Sequence, residues 1–171
     1  MSKGFTKDDA VDEPIVVPPR APLPDGTTNY VTPRGLALLE QELRDLQRDK
    51  ARAEVEAAAG DDDATRRATI LATQLGELEI RLASAILVTP DPSSDRARLG
   101  CTVTVLRDDD REQRFRIVGV DEADATRGDL AFVSPLGRAL LGARVGDTVL
   151  SRTPRGEEEL EVLAIAWEAE D

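Results

Sequence analysis

Three consecutive carboxylates, Asp61, Asp62 and Asp63, stand in the stretch AAAGDDDATRRA between Ala57 and Ala68. Hard divalent cations such as Mg²⁺ take oxygen ligands, often only one or two protein carboxylates with waters filling the rest. A solvated run of three cannot form a full cage. It can complete a cation site that another macromolecule half supplies. The same residues also have a structural use. Gly60 can end one helix in the left-handed conformation, one Asp can cap the next helix, and an Asp in its first turn suits the helix dipole. That explains two carboxylates and leaves a third without a structural task. Arg66 and Arg67 follow about one turn later, where they either balance the acidic charge or contact a nucleic-acid phosphate near it.

The remaining chemistry is bounded by what is missing. The chain has 171 residues, a formal net charge of −12, no histidine and one cysteine, Cys101. Holding nucleic acid on its own surface would need a basic stripe, which this balance argues against. Without histidine there is no Cys–His zinc site and no histidine base. A single cysteine cannot form a disulfide within the chain, which suits a reducing cytoplasm. No apolar run approaches the ~18 residues of a membrane span, and MSKGFTKDDAVDEP lacks the apolar core of a signal peptide. A soluble, cytoplasmic protein with no membrane partner is expected.

The acidic triplet must be positioned by the helices around it. One apolar stripe runs through Leu36, Leu39, Leu43, Leu46, Lys50, Ala53 and Ala57, and a second through Ala68, Leu71, Leu75, Leu78, Leu82 and Ala85. Both alternate steps of three and four, the spacing of coiled-coil packing. Pairing Leu46 with Leu78, Ala53 with Leu71 and Leu39 with Ala85 folds the two back on each other at Asp62. The result is a slender antiparallel rod carrying its negative charge at the far end. Thr32 is the expected N-cap of the first helix, with Pro33 at its first position and Val31 stapled against Leu36. Lys50 interrupts the stripe and is read as a register-setting residue.

The other segments differ in composition. Residues 1–30, with PIVVPPRAPLPDG, read as a disordered proline-rich tail, or more sharply as a docking peptide. Residues 89–97, TPDPSSDRA, read as a linker. Then CTVTVL, FRIVGV, LAFVS, DTVLSR and EELEVLAIAW give short strand patterns, with one short helix expected over Pro135–Ala143. Asp108-Asp109-Asp110 reads as a hairpin turn, and Cys101 as a small buried apolar residue. The fold class is therefore α+β: an antiparallel α-helical coiled-coil hairpin over residues 31–88, then a mainly antiparallel β-sheet domain over 98–171 with one short helix.

YVTPRGLALLEQELRDL, the hairpin, and FRIVGVDEADATRGDLAFVSPLGRALLGARVGDTV resemble the bacterial Gre transcript-cleavage factors, GreA and GreB. The resemblance covers about residues 30–167 and is most specific in its second half. It implies an FKBP-like C-terminal domain that docks on RNA polymerase, and a coiled coil inserted through the polymerase's secondary channel. There the tip acidic residues help hold a catalytic Mg²⁺, and the polymerase hydrolyses the nascent RNA 3′ end of a backtracked complex. The factor has no cofactor and no catalytic residue of its own. It shares Mg²⁺ with the polymerase and meets RNA only within the complex. The family's tip reads roughly G-D-x-S-E-N-A-[ED]-Y. Gly60 and Asp61 match it, while Ala64, Thr65 and Ala68 stand at its glutamate, asparagine and aromatic positions. Asp62 or Asp63 is left to supply the second carboxylate. Ser134 and Pro135 match the family's Ser-Pro at the polymerase-docking loop.

Two versions stay open on the sequence, a tip that stimulates cleavage and one that occupies the channel and inhibits. Rivals from other classes are a plain coiled-coil adaptor and, from the FKBP-like fold alone, a prolyl isomerase. A hairpin that satisfies its own stripe needs no second chain, so a monomer is expected.

Overall fold

In the computed structural model, residues 16–167 are described. A short strand β1 (Tyr30–Val31) leads into two long helices, α1 (Pro33–Ala58) and α2 (Asp62–Ala83), and these into strand β2 (Ile86–Leu87). Thr32 caps α1 as its type and position dictate: it is extended, and its hydroxyl accepts the Gly35 N–H at 2.9 Å. The two helices pack along the expected stripes. Two helices alone cannot enclose a core, so most stripe residues are only half-buried. Among the larger apolar side chains, full burial is concentrated near the base, where Leu39, Leu78 and Val31 cluster with Leu36, Leu43, Leu46, Leu82 and Ala85. Burying a leucine such as Leu78 contributes about 1.5–3 kcal/mol. Lys50 pairs with Glu54 one turn on, keeping its charge outside the stripe.

The hairpin turns two residues earlier than the stripe symmetry indicates. The turn is Ala59-Gly60-Asp61, and Asp62 already belongs to α2. Local backbone chemistry decides this. Gly60 takes φ +96°, a left-handed value that glycine adopts without penalty. The Gly60 N–H then donates to the Ala57 carbonyl and the Asp61 N–H to the Glu56 carbonyl. That is the Schellman arrangement, which satisfies carbonyls left over at a helix end.

All five strand patterns of the second half form strands in one sheet. They are β3 (Cys101–Arg107), β4 (Glu112–Val118), β5 (Asp129–Ala131), β6 (Thr148–Thr153) and β7 (Gly156–Trp167), in the order β5-β4-β3-β7-β6. Every pairing is antiparallel except β4 with β5. The short helix is α3 (Pro135–Leu140), packed beside β6. Alternation along β3 sends Cys101, Val103 and Val105 inward, against Phe115, Ile117, Leu140, Leu160 and Val162. Asp108–Asp110 turns between β3 and β4, with Asp110 at φ 59°.

Two segments read as featureless carry contacts. The expected linker over 89–97 ends inside the sheet's core, where Ala97 is buried and its N–H donates to the Ala143 carbonyl at 2.8 Å. Of the proline-rich tail, residues 1–15 lie outside the described residues. Residues 16–29 form neither helix nor strand, yet Arg20 is anchored on the hairpin. Parallel pairing of β1 with β2, Tyr30 opposite Ile86, closes the base of the hairpin. The Tyr30 ring meets Phe132 of the sheet domain edge-on, with centroids 6.0 Å apart.

Candidate functional site at the rod tip and its supports

The tip is built by the α1–α2 turn. Asp61 is the N-cap of α2, and its carboxylate accepts the Ala64 N–H at 3.0 Å. Asp62 and Asp63 fill the first turn, where the helix dipole favours negative charge. All three aspartates are exposed, whereas Ala64 is fully buried. Arg67 reaches back to Glu56 at 2.7 Å and to Asp61 at 3.7 Å, which balances part of the tip charge. Arg66 is exposed on the same turn. Arg67 thus engages Asp61, while Asp62 and Asp63 face solvent.

Among the described residues no group of three or more His, Cys, Asp or Glu side chains is arranged to hold a metal ion. The triplet is not a preformed cage. Its donor set, exposed carboxylate oxygens on a convex turn, suits the contribution of one or two ligands to a Mg²⁺ held elsewhere.

Ser134 and Pro135 stand together at the start of α3. Ser134 is its N-cap and accepts the Gly137 N–H at 3.0 Å. Pro135 is the first helical residue and is exposed. Cys101 is fully buried, and burial pushes its thiol above the ordinary range, so it is not an activated nucleophile.

Residue-by-residue reading missed the junction between rod and sheet domain. There Glu122 is buried and receives the Thr32 hydroxyl, so the helix cap is also a bridge between domains. Arg34 lies 3.2 Å from Glu122 and 3.5 Å from Asp129. Arg116 holds Asp129 from the adjacent strand at 2.8 Å. Arg81, buried at the end of α2, pairs with Asp121 at 3.0 Å. Gly35 is required here, because a Cβ at that position would fall 2.8 Å from a Glu122 carboxylate oxygen. The one available signal was the acidic pair Asp121-Glu122 after the β4 run, with arginines at both ends of the hairpin.

Residues 92–166 match the family model of the transcription elongation factor GreA/GreB C-terminal region. Over 156 residues the chain is 38% identical to transcription elongation factor GreB of Neisseria meningitidis serogroup B, covering 82% of this chain and 95% of that protein. It is 33% identical over 151 residues to transcription elongation factor GreA of Rhodospirillum rubrum, covering 80% and 96%. Among solved structures it is similar to GreA factor homolog 1 (Gfh1) of Thermus thermophilus. That match has 25% identity and a TM-score of 0.39, covering 82% of this chain and 99% of the other.

Proposed function

The chain belongs to the GreA/GreB family of transcription elongation factors, and from that premise we propose that it acts on bacterial RNA polymerase through the secondary channel. The observation that carries this reading is the separation of tasks along the rod. The sheet domain is fixed at one end, and exposed Asp62 and Asp63 stand at the other. With 26 residues in α1, the rod is about 39 Å long at 1.5 Å per residue. That length suits delivery of charge into a narrow passage.

In this reading the face around Ser134 and Pro135 docks the factor, and the hairpin enters. Asp61 keeps the turn folded, while Asp62 and Asp63 offer oxygen ligands to the Mg²⁺ of the polymerase active centre. In hydrolysis of a phosphodiester, paired metals stabilise the attacking and leaving oxygens. The polymerase supplies the catalytic centre, and this chain adds ligands in trans, as a monomer without its own cofactor. Arg66 and Arg67 lie close enough to the triplet to approach the RNA 3′ end.

One observation supports a second reading of the sign. The position at which the family carries its glutamate is Ala64, which is fully buried. The second carboxylate must therefore come from Asp62 or Asp63, at a different place on the turn. A displacement of about 1 Å can cost a hundredfold in rate. A tip that reaches the metal without aligning the water would slow nucleotide addition and leave cleavage unstimulated. Pull-down with core polymerase tests the shared claim, and absence of binding at micromolar protein contradicts both versions.

A further inference from the structure

The N-terminal segment contacts both the rod and the sheet domain. Arg20 is tied to three elements at once. Its backbone N–H donates to a Glu77 carboxylate oxygen on α2 at 2.8 Å. Its guanidinium pairs with Glu42 on α1 and with Asp121 of the sheet domain, the latter at 2.9 Å. The next carbonyl, that of Ala21, accepts from Arg81, whose guanidinium also holds Asp121. Asp121 is thus clamped between an arginine of the tail and an arginine of α2. The Arg20 side chain is 21% exposed and that of Asp121 is 15% exposed, and the bond between them lies at the surface of the junction.

The sequence suits this segment to act as a strap. Pro18, Pro19, Pro22 and Pro24 flank Arg20. Proline fixes φ, which lowers the entropy lost when a segment is held in one extended path. Proline also lacks an N–H, so few backbone donors of the segment need partners where Pro18 and Arg20 lie beside Glu42, Leu46, Gln74 and Glu77 of the two helices.

We propose that residues 18–22 are an intramolecular strap, and that Arg20 is a positioning residue fixing the angle between the rod and the sheet domain. On the secondary-channel reading above, that angle sets where the tip points once the sheet domain has docked. The angle itself does not depend on that reading and is measured without polymerase.

Spin labels on Ala51→Cys in the rod and Glu159→Cys in the sheet domain, both exposed positions, report the distance between the two parts in the full chain. Buried Cys101 stays unlabelled. The parent should give one narrow distance distribution. Arg20→Ala should at least double its width, and Asp121→Asn should broaden it too. Arg44→Ala, which removes an α1 arginine bonded, among the described residues, to Gln41 alone, should leave it unchanged. Equal far-UV circular dichroism for all variants keeps unfolding out of the comparison. An Arg20→Ala distribution as narrow as the parent's overturns the proposal, and so does a parent already as broad as Arg20→Ala. If polymerase binding fails while the distances behave as stated, the secondary-channel reading falls and the strap stands.

Discussion

The rod holds charge at both ends and treats it in opposite ways. At the junction Glu122, Asp129 and Arg81 are buried, and each has a partner of opposite charge. Among the described residues no buried side-chain nitrogen or oxygen lacks a hydrogen-bond partner. At the tip, Asp61, Asp62 and Asp63 are all exposed, and among the described residues only Asp61 has a structural bond to make. Charge that sustains a fold is buried and matched, because an unmatched buried charge is expensive. Charge left on an exposed turn costs the fold little and stays available to a ligand. The difference separates which carboxylates hold the molecule together from which are free to act outside it.

Substitutions that keep this contrast should fall in a definite order. Leu78→Ala, in the fully buried cluster at the base, should be the most damaging, destabilising by about 2–5 kcal/mol in denaturant unfolding. A value near zero would mean that the base is not the core of the hairpin. Glu122→Ala removes the partner of Thr32 and Arg34. It should cost roughly 1–3 kcal/mol, the penalty for stranding buried donors.

The tip should respond less, and in two steps. Asp61→Ala should cost about 1 kcal/mol through the lost helix cap, while Asp61→Asn keeps a capping oxygen and should nearly preserve stability. Comparing these two in thermal melts separates the structural bond of Asp61 from its charge. Asp62→Asn and Asp63→Asn should shift stability by no more than about 0.5 kcal/mol, as exposed substitutions do. A larger loss at either position would place it in the fold and remove it from the candidate site.

What the sequence makes legible follows from the range of the interactions involved. The stripes, the Thr32 cap with Pro33, the five strand runs and the helix at Pro135 depend on neighbours a few residues apart. Each appears as a local pattern. The turn is found two residues before Asp62 because heptad symmetry cannot see the left-handed Gly60 and its two carbonyl bonds. The junction is different in kind. Thr32 meets Glu122 across 90 positions and Arg20 meets Asp121 across 101. Such pairs leave no periodic trace, and each arginine alone reads as ordinary surface charge. The parallel pairing of Tyr30 with Ile86 is hidden for the same reason. The acidic triplet is legible as a local run, because three consecutive carboxylates exceed what a helix turn requires.

On the secondary-channel reading, Asp62 and Asp63 act on the active-site metal of the polymerase. This is tested most directly by RNA cleavage in backtracked elongation complexes at fixed Mg²⁺, comparing the parent chain with the Asp62→Asn, Asp63→Asn double variant. The parent should change the rate of 3′-end cleavage or of nucleotide addition, and the double variant should lose that effect while still binding polymerase. Faster cleavage would mean that the triplet replaces the glutamate absent at Ala64, and slowed addition would mean that the tip obstructs the metal. A double variant as active as the parent would contradict the claim and leave the rod as an adaptor.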